Sequence, residues 1–249
     1  MCEINSRLLV GGGSVPVHLA IGAESIAVLI DSLRQPADHL LLSHRNIHHN
    51  LMRLPFDFVS DNIFNPIGPL KYGSMNLHSS IKKNPYTSSL LGNHLSVAVG
   101  LSLGKKLRKD SSRVFISIGD GAIEEGTFYE CLQLIAKHEL NISIILEDNS
   151  HSMSSSIESR RSDFSLSELM GTFNITYEHI SNESCADAYS RLSLACKKGP
   201  TLFHFKYTLF SNHAGPTPGW PSDAKSVEYD DEGVIVREEI DPIYRELVN

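Results

Sequence analysis

The pattern of apolar and polar positions between Arg113 and His151 predicts a strand, a helix and a second strand in close succession. The first strand is an apolar run rich in β-branched residues that stops abruptly at Gly119-Asp120-Gly121. The second strand, at residues 142–146, ends in Glu147-Asp148-Asn149. The helix between them is predicted by four apolar residues at i, i+3, i+4 and i+7, namely Phe128, Cys131, Leu132 and Ile135.

A helix that connects two strands of one sheet makes those strands parallel, and parallel neighbours end at the same edge. Asp120 and Asn149 are therefore expected close together at the carboxyl edge, where open α/β sheets bind ligands. One carboxylate and one amide oxygen suit Mg²⁺, which prefers oxygen ligands. Gly119 and Gly121 permit a tight turn and allow backbone amides to approach phosphate oxygens. A plain Gly-Asp-Gly turn is the alternative, but the Asn that ends the second strand favours a site for Mg²⁺ and phosphate.

Two acidic residues follow the Gly-Asp-Gly turn. Glu124 and Glu125 lie near the N-terminus of the predicted helix, where negative charge is favourable. We therefore expect both to be capping or solvent-exposed charges.

The rest of the chain continues to alternate helices and strands, which predicts an α/β fold with an open, mostly parallel sheet and helices on both faces. Residues 55–88 are rich in Pro, Gly, Asn and Ser and predict a long ordered loop. We expect one domain over residues 1–249, with a flexible lead over 1–16 and a C-terminal extension over 217–249. The further predicted elements are a helix at 18–33, a strand at 38–42, a helix with Ser96, Gly100 and Gly104 on one face, a short strand at 174–178, a helix at 186–197 and a strand at 201–207.

Composition places the chain among ordinary globular proteins, since 41% of its 249 residues are hydrophobic and 20% are charged. The formal net charge of −7 argues against nonspecific binding to nucleic acid. The four cysteines are scattered and form no CxxC pair, which indicates reduced thiols rather than disulfides or a zinc site. No stretch has the continuous hydrophobicity of a signal peptide or a membrane span, so we expect a cytoplasmic location and no membrane partner.

Gly-Asp-Gly followed by an Asn about thirty residues later resembles the cofactor fingerprint of thiamine diphosphate enzymes. Over His18 to Pro216 the sequence most resembles the alpha subunit of the decarboxylating component of 2-oxo acid dehydrogenases, of the pyruvate, branched-chain and acetoin types. Gly22-Ala23-Glu24-Ser25 is similar to the Gly-Gln-Glu-Ala of that family, and residues 71–78 are similar to its Gly-Gly-Ser-Met-His segment. The resemblance implies a thiamine diphosphate-binding fold of the diphosphate-binding type, with thiamine diphosphate and Mg²⁺ as cofactors.

The resemblance assigns the metal and diphosphate contacts by position. Asp120 and Asn149 match the Mg²⁺ ligands, and His151 matches a residue that offers its backbone carbonyl to the metal. Gly121 and Ala122 match the residues whose amides bind the diphosphate.

Other cofactor contacts come from earlier segments. His44 and Arg45 stand where the family has a Tyr-Arg pair that holds the diphosphate. Arg45 keeps the planar, charged fork that suits a phosphate, and His44 could donate one hydrogen bond in place of the phenol. Ser89 and Leu91 match positions that touch the thiamine rings.

The catalytic candidates are two histidines. His18 matches a family histidine that faces the cofactor, and His213 matches the second His of a His-Gly-His-Ser loop. His213 is thus a candidate to hydrogen-bond the substrate carboxylate or the reacting intermediate. The chain departs from the family at Asn76 and Ser211, where the family has histidines, and at Ala214, where some relatives have a serine that kinases phosphorylate.

The activity that the resemblance implies is that of an alpha-like subunit, which decarboxylates a 2-oxo acid and passes on the acyl or hydroxyalkyl unit. It implies a beta-type subunit that supplies the activating glutamate, in an α₂β₂ assembly. Residues 92–100 also resemble a transketolase segment, so one alternative is the cofactor-binding half of a split transketolase-like enzyme that transfers a two-carbon unit. Another, suggested by His44, Asn76 and Ser211, is a cofactor-holding subunit without catalysis of its own.

Overall fold

A computed structural model of the chain describes residues 1–11, 17–64, 87–153, 155–181, 183–210 and 213. The predictions that concern Asn76, Ser211, Ala214 and the C-terminal extension fall outside these residues. None of the described helices combines the length and apolar character needed to cross a membrane.

The described strands are β1 (His39–Ser43), β2 (Thr87–Ser88), β3 (Val114–Gly119), β4 (Ile142–Asp148), β5 (His151–Ser152), β6 (Ser155–Ser156), β7 (Thr176–Ile180) and β8 (Thr201–Lys206). The described helices are α1 (Cys2–Gly11), α2 (Glu24–Leu33), α3 (Ile47–Leu51), α4 (Phe56–Phe64), α5 (Asn93–Leu107), α6 (Gly126–Lys137), α7 (Ile157–Arg160), α8 (Leu166–Thr172) and α9 (Cys185–Cys196), with a 3-10 helix at Asp120–Glu124.

Six strands form one open sheet in the order β2-β1-β3-β4-β8-β7, and every neighbouring pair in it is parallel. The short strands β5 and β6 form a separate antiparallel pair. The chain passes from β1 to β2 on one side and later fills β3, β4, β8 and β7 on the other. The strand order therefore reverses between β1 and β3, which is where sheets of this kind open a ligand crevice at their carboxyl edge.

The central strands are covered on both faces. β4 is buried at all seven positions and β3 at its first five. Because successive side chains point to opposite faces of a sheet, burial at every position requires cover on both sides. The four apolar residues that predicted the helix, Phe128, Cys131, Leu132 and Ile135, are all buried on α6 within the core that surrounds these strands. The predicted open, parallel α/β fold is confirmed.

The described residues fall into two compact units. The sheet unit comprises those within Ser32–Ser43 and Ser80–Lys206 and contains the whole six-stranded sheet. The second unit comprises those within Met1–Asp31, His44–Ser79 and Tyr207–Asn249. It has its own apolar core, built by Ile4, Leu8, Val17, Leu19, Ile21, Ile47, Val59 and Phe210. A single domain over residues 1–249 stays a prediction.

Three local predictions differ from the structure. The lead expected to be flexible forms helix α1, because Ile4 and Leu8 bury one side of it in the core of the second unit. The helix expected from residue 18 begins only at Glu24, because Gly22 has a φ of +104°, which interrupts a right-handed helix. Part of the loop expected at 55–88 is helix α4, whose Val59 is fully buried.

Candidate functional site

The Gly-Asp-Gly turn lies where β3 ends. Gly119 is the last residue of β3 and pairs with Glu147 of β4, and the 3-10 helix begins at Asp120. Asn149 is the first residue after β4. The parallel register thus brings Asp120 and Asn149 to the same edge of the sheet, as predicted.

A neighbouring side chain leaves no room for a β-carbon at Gly121. A β-carbon on it would lie 2.6 Å from Ser152 Oγ and 2.9 Å from Ser152 Cβ. It would also lie 3.7 Å from a methyl carbon of Leu91, which places that predicted residue beside the turn. The absence of a side chain at Gly121 therefore allows Ser152 to pack directly against the turn.

The segment after β4 turns sharply on local hydrogen bonds. Asp148 Oδ1 accepts from the Ser150 amide at 2.8 Å, and Asn149 Oδ1 accepts from the His151 amide at 3.0 Å. Ser150 has a φ of +67°. These bonds fix the side-chain oxygen of Asn149 and the backbone of His151 in one short turn, although the His151 side chain is exposed.

Two arginines close over the carboxylates of the turn. Arg160 Nη2 lies 2.5 Å from Asp120 Oδ2, and Arg160 Nε lies 3.0 Å from Glu124 Oε1. Arg161 Nη1 donates to the same Glu124 oxygen at 2.9 Å and to the backbone carbonyl of Asp120 at 3.1 Å. Glu124 is therefore a network residue and not the solvated charge that we expected, whereas Glu125 is exposed at the N-cap of α6.

The electrostatic surroundings of Asp120 oppose its ionisation. Burial raises the pKa of this carboxyl, and the neighbouring Asp148 adds to the effect, while the hydrogen bond from Arg160 counteracts them. Asp120 is only 3% exposed. A buried carboxylate of this kind requires a nearby cation, which is Arg160 in the structure.

A second network holds Asp148, the residue before Asn149. His204 Nε2 lies 2.9 Å from Asp148 Oδ2, and Tyr177 lies 2.8 Å from His204 Nδ1 through its hydroxyl. Lys206 Nζ donates to both Asp148 oxygens at 3.1 Å. Burial opposes the charge of Asp148, but the bonds from His204, Lys206 and the Ser150 amide outweigh it and lower the pKa of this carboxyl to about 2. The sequence analysis missed this network.

In the second unit, four predicted residues come together as what we call the histidine cluster: His18, His44, Arg45 and His213. Arg45 donates to the backbone carbonyl of Leu19 and, at 2.8 Å, to that of His213. The rings of His18 and His44 meet edge to face at a centroid distance of 4.7 Å. The cluster joins segments that are far apart in the sequence.

His18 is neutral within this cluster. Burial, together with the positive charge of Arg45 and with His44, lowers its pKa to about 3. His18 Nδ1 lies 3.1 Å from the His213 carbonyl, which can only accept a hydrogen bond. We therefore assign the ring proton to Nδ1, which leaves Nε2 with an acceptor lone pair.

The edge of β3 and β4 suits a divalent cation with a phosphate group. The atoms that the sequence analysis assigned to a metal, a carboxylate of Asp120, the amide oxygen of Asn149 and the carbonyl of His151, are all hard oxygen donors of the kind that Mg²⁺ prefers. Only glycine fits at position 121, because a β-carbon there would overlap Ser152. The guanidinium at Asp120 shows that a cation is stable at this carboxylate.

Two further predicted cofactor contacts, Ala122 and Ser89, belong to the sheet unit. Ala122 is buried directly after Gly121, and Ser89 is exposed after β2. The arginines that contact the turn lie in the polar segment after Asn149, and the only sequence signal for them was an adjacent Arg160-Arg161 pair.

Comparison with known proteins shows the family to which the chain belongs. The model of the family described as "Dehydrogenase E1 component" matches residues 12–180. The pyruvate dehydrogenase E1 component subunit alpha of Zymomonas mobilis is 23% identical over 211 residues, covering 81% of this chain and 60% of that protein. The alpha subunit of the acetoin:2,6-dichlorophenolindophenol oxidoreductase of Bacillus subtilis is 24% identical over 237 residues, covering 91% of this chain and 69% of that protein.

Similarity to a solved structure supports the fold. A Mycobacterium smegmatis protein assigned as a thiamin diphosphate-dependent enzyme superposes with a TM-score of 0.55 at 18% identity, over 79% of this chain and 33% of that one. The chain spans 44% to 60% of the length of the pyruvate dehydrogenase alpha subunits from Rickettsia felis and Zymomonas mobilis. Because the family model covers well over half of the residues, the chain belongs to the dehydrogenase E1 component family.

Proposed function

We propose that the chain is an alpha-like subunit of a thiamine diphosphate- and Mg²⁺-dependent enzyme that decarboxylates a 2-oxo acid and passes on the acyl unit. The observation that carries this proposal is the juxtaposition of the Gly119-Asp120-Gly121 turn and the Asn149 turn at one sheet edge. In this proposal Asp120, Asn149 and the His151 carbonyl bind the metal. The amides of Gly121 and Ala122 bind the diphosphate, and Leu91 and Ser89 contact the thiamine rings.

The histidine cluster contributes the remaining roles. Arg45 and His44 are proposed to bind the diphosphate, and His18 and His213 to act in catalysis. Arg45 also donates a charge-assisted hydrogen bond to the His213 carbonyl, which positions the second proposed catalytic histidine. Neutral His18 offers an Nε2 acceptor, which could position a protonated donor on the substrate.

The cofactor, when bound, supplies the carbanion and the electron sink for decarboxylation. The chain's own residues would hold its diphosphate and metal end. The glutamate that activates the aminopyrimidine is proposed to come from a beta-type subunit, with both chains in an α₂β₂ assembly. The chain alone is then expected to be nearly inactive.

The test is a calorimetric titration of thiamine diphosphate in the presence of Mg²⁺, first on the chain alone and then on the chain co-expressed with a beta-type chain. We expect binding to appear or to tighten with the second chain, because the cofactor is shared. The loaded complex is then assayed with a panel of 2-oxo acids and a panel of ketose phosphates. Absence of binding in both titrations would refute the proposal, and turnover of ketose phosphates alone would favour the transketolase-like alternative.

A further inference from the structure

The Arg160 guanidinium contacts the carboxylate of Asp120, which the proposed function assigns to the metal. Its Nη2 lies 2.5 Å from Asp120 Oδ2, and its Nε lies 3.0 and 3.2 Å from the two oxygens of Glu124. Its Nη1 donates to the backbone carbonyl of Ser155. The side chain is only 12% exposed, so all three nitrogens are engaged in a sheltered site.

The same short segment carries Arg160 and two of the proposed metal ligands. β5 begins at His151, and His151 pairs with Ser156, the residue directly before α7. The Ile157 amide donates to the Ser150 carbonyl at 3.2 Å, which ties the start of α7 to the turn that contains Asn149. Arg160, at the end of α7, is thus held near Asp120 by a folded segment and not by a chance contact of a long side chain.

Charge explains why the guanidinium is stable there. The charge of Asp148 disfavours ionisation of Asp120, and Glu124 adds a third carboxylate beside Arg160. Buried carboxylates without a cation are strongly unfavourable. A divalent cation would satisfy the same need, so the metal and Arg160 are alternatives at one oxygen.

We propose that Arg160 acts as a built-in counter-ion on the Asp120 oxygen that the proposed function assigns to the metal, and that a divalent cation binds there only by displacing it. The displaced guanidinium keeps its Nε bonds to Glu124, because these do not involve Nη2. Arg161 does not have to move, since it contacts Glu124 and the backbone carbonyl of Asp120 rather than the carboxylate. The inference rests on the proposed function in taking Asp120 as the metal ligand.

The test measures metal binding alone. Mn²⁺ is titrated into the full chain without thiamine diphosphate, and the free ion is followed by its electron paramagnetic resonance signal. Arg160→Gln is expected to bind Mn²⁺ about tenfold more tightly than the wild type, because the competing charge-assisted bond is gone. Arg160→Lys, which keeps the charge but loses the planar fork, is expected to lie between the two.

Arg191→Gln is the matched control. Arg191 is also an ion-paired arginine of the sheet unit, bound to Glu178 and Glu183 at 2.7 Å, but it does not contact Asp120. We expect this variant to bind Mn²⁺ like the wild type. Asp120→Asn is expected to remove the binding in both the wild-type and the Arg160→Gln backgrounds.

Equal or weaker Mn²⁺ binding by folded Arg160→Gln, or no binding at all, would overturn the inference. If Arg160→Gln does not fold, Arg160→Lys and nitrogen NMR of the wild-type arginine side chains decide it. Mg²⁺ is expected to accelerate solvent exchange of the Arg160 Nη2 hydrogens, and unchanged exchange would overturn the inference. Failure of the proposed function is distinguishable, because Mn²⁺ would still bind more tightly to Arg160→Gln while thiamine diphosphate bound to neither protein.

Discussion

Ser152 lies so close to Gly121 that a β-carbon on the glycine would be 2.6 Å from the serine hydroxyl oxygen. The two residues are separated in the sequence by β4, since Gly121 follows β3 and Ser152 belongs to β5. Their contact packs the segment that carries Asn149 and His151 onto the Gly-Asp-Gly turn. The proposed metal ligands are therefore held by a direct packing contact between the two segments that supply them.

Gly121→Ala is expected to destabilise the chain by about 1–3 kcal/mol, because the added methyl group overlaps Ser152. Urea unfolding followed by circular dichroism measures the change. Gly121→Ala combined with Ser152→Gly should recover much of the loss, since the second change removes the overlapping atoms. Gly100→Ala is the control: nothing lies within 4 Å of its added carbon, and in a helix it should stabilise by about 0.5–1 kcal/mol. Equal effects of Gly121→Ala and Gly100→Ala would contradict the steric argument.

Asp120→Asn is expected to weaken Mg²⁺-dependent binding of thiamine diphosphate by at least about 100-fold, because a carboxylate ligand is lost. The secondary structure should persist, since Asp120 follows a strand and is not part of the apolar core. Calorimetry measures the binding and circular dichroism the fold. A folded Asp120→Asn protein that bound the cofactor as tightly as the wild type would show that the metal site lies elsewhere.

Substitutions of the three side chains that hold Asp148, directly or through His204, should lower the free energy of unfolding by different amounts. His204→Leu leaves the buried Asp148 carboxylate without its hydrogen bond to the imidazole and is expected to cost about 2–3 kcal/mol in the free energy of unfolding. Tyr177→Phe removes one hydrogen bond to His204 and should cost about 1 kcal/mol. Lys206→Met should cost at most about 1 kcal/mol, because Lys206 is 42% exposed and its ion pair is screened by solvent. Chemical denaturation of the three proteins tests the order, and a largest loss for Lys206→Met would contradict it.

His18 should stay neutral through the pH range in which ordinary histidines gain a proton. Burial together with Arg45 and His44 holds its pKa at about 3, below the usual 6.5. Below pH 6.5 this histidine becomes protonated in the unfolded chain but stays neutral in the folded chain. The free energy of unfolding therefore decreases progressively as the pH falls from 6.5 towards 3. Nitrogen NMR of the imidazole should show the Nδ1-protonated neutral form at pH 5. A titration midpoint of His18 near 6.5 would contradict this prediction. The free energy of unfolding of His18→Gln is expected to decrease less at acidic pH than that of the wild type.

The sequence predicted the fold where the signal is local. The apolar run before Gly119, the helical spacing of Phe128 and Ile135 and the second run before Asp148 each depend on residues close together in the chain. The crossover rule then fixes that two such strands are parallel, so the shared edge of Asp120 and Asn149 followed without coordinates. Helix α1 was missed because its burial depends on Ile4 and Leu8 meeting a distant core, which no local pattern records.

The sequence by itself thus determined the parallel sheet, the position of the Gly-Asp-Gly turn and the residue types at its edge. Only the tertiary structure decided which charges meet there. Arg160 reaches Asp120, and His204 reaches Asp148, across 40 and 56 positions of sequence. Such pairings depend on how separate elements pack and on which rotamers that packing allows, and neither is encoded in the spacing of residues along one element.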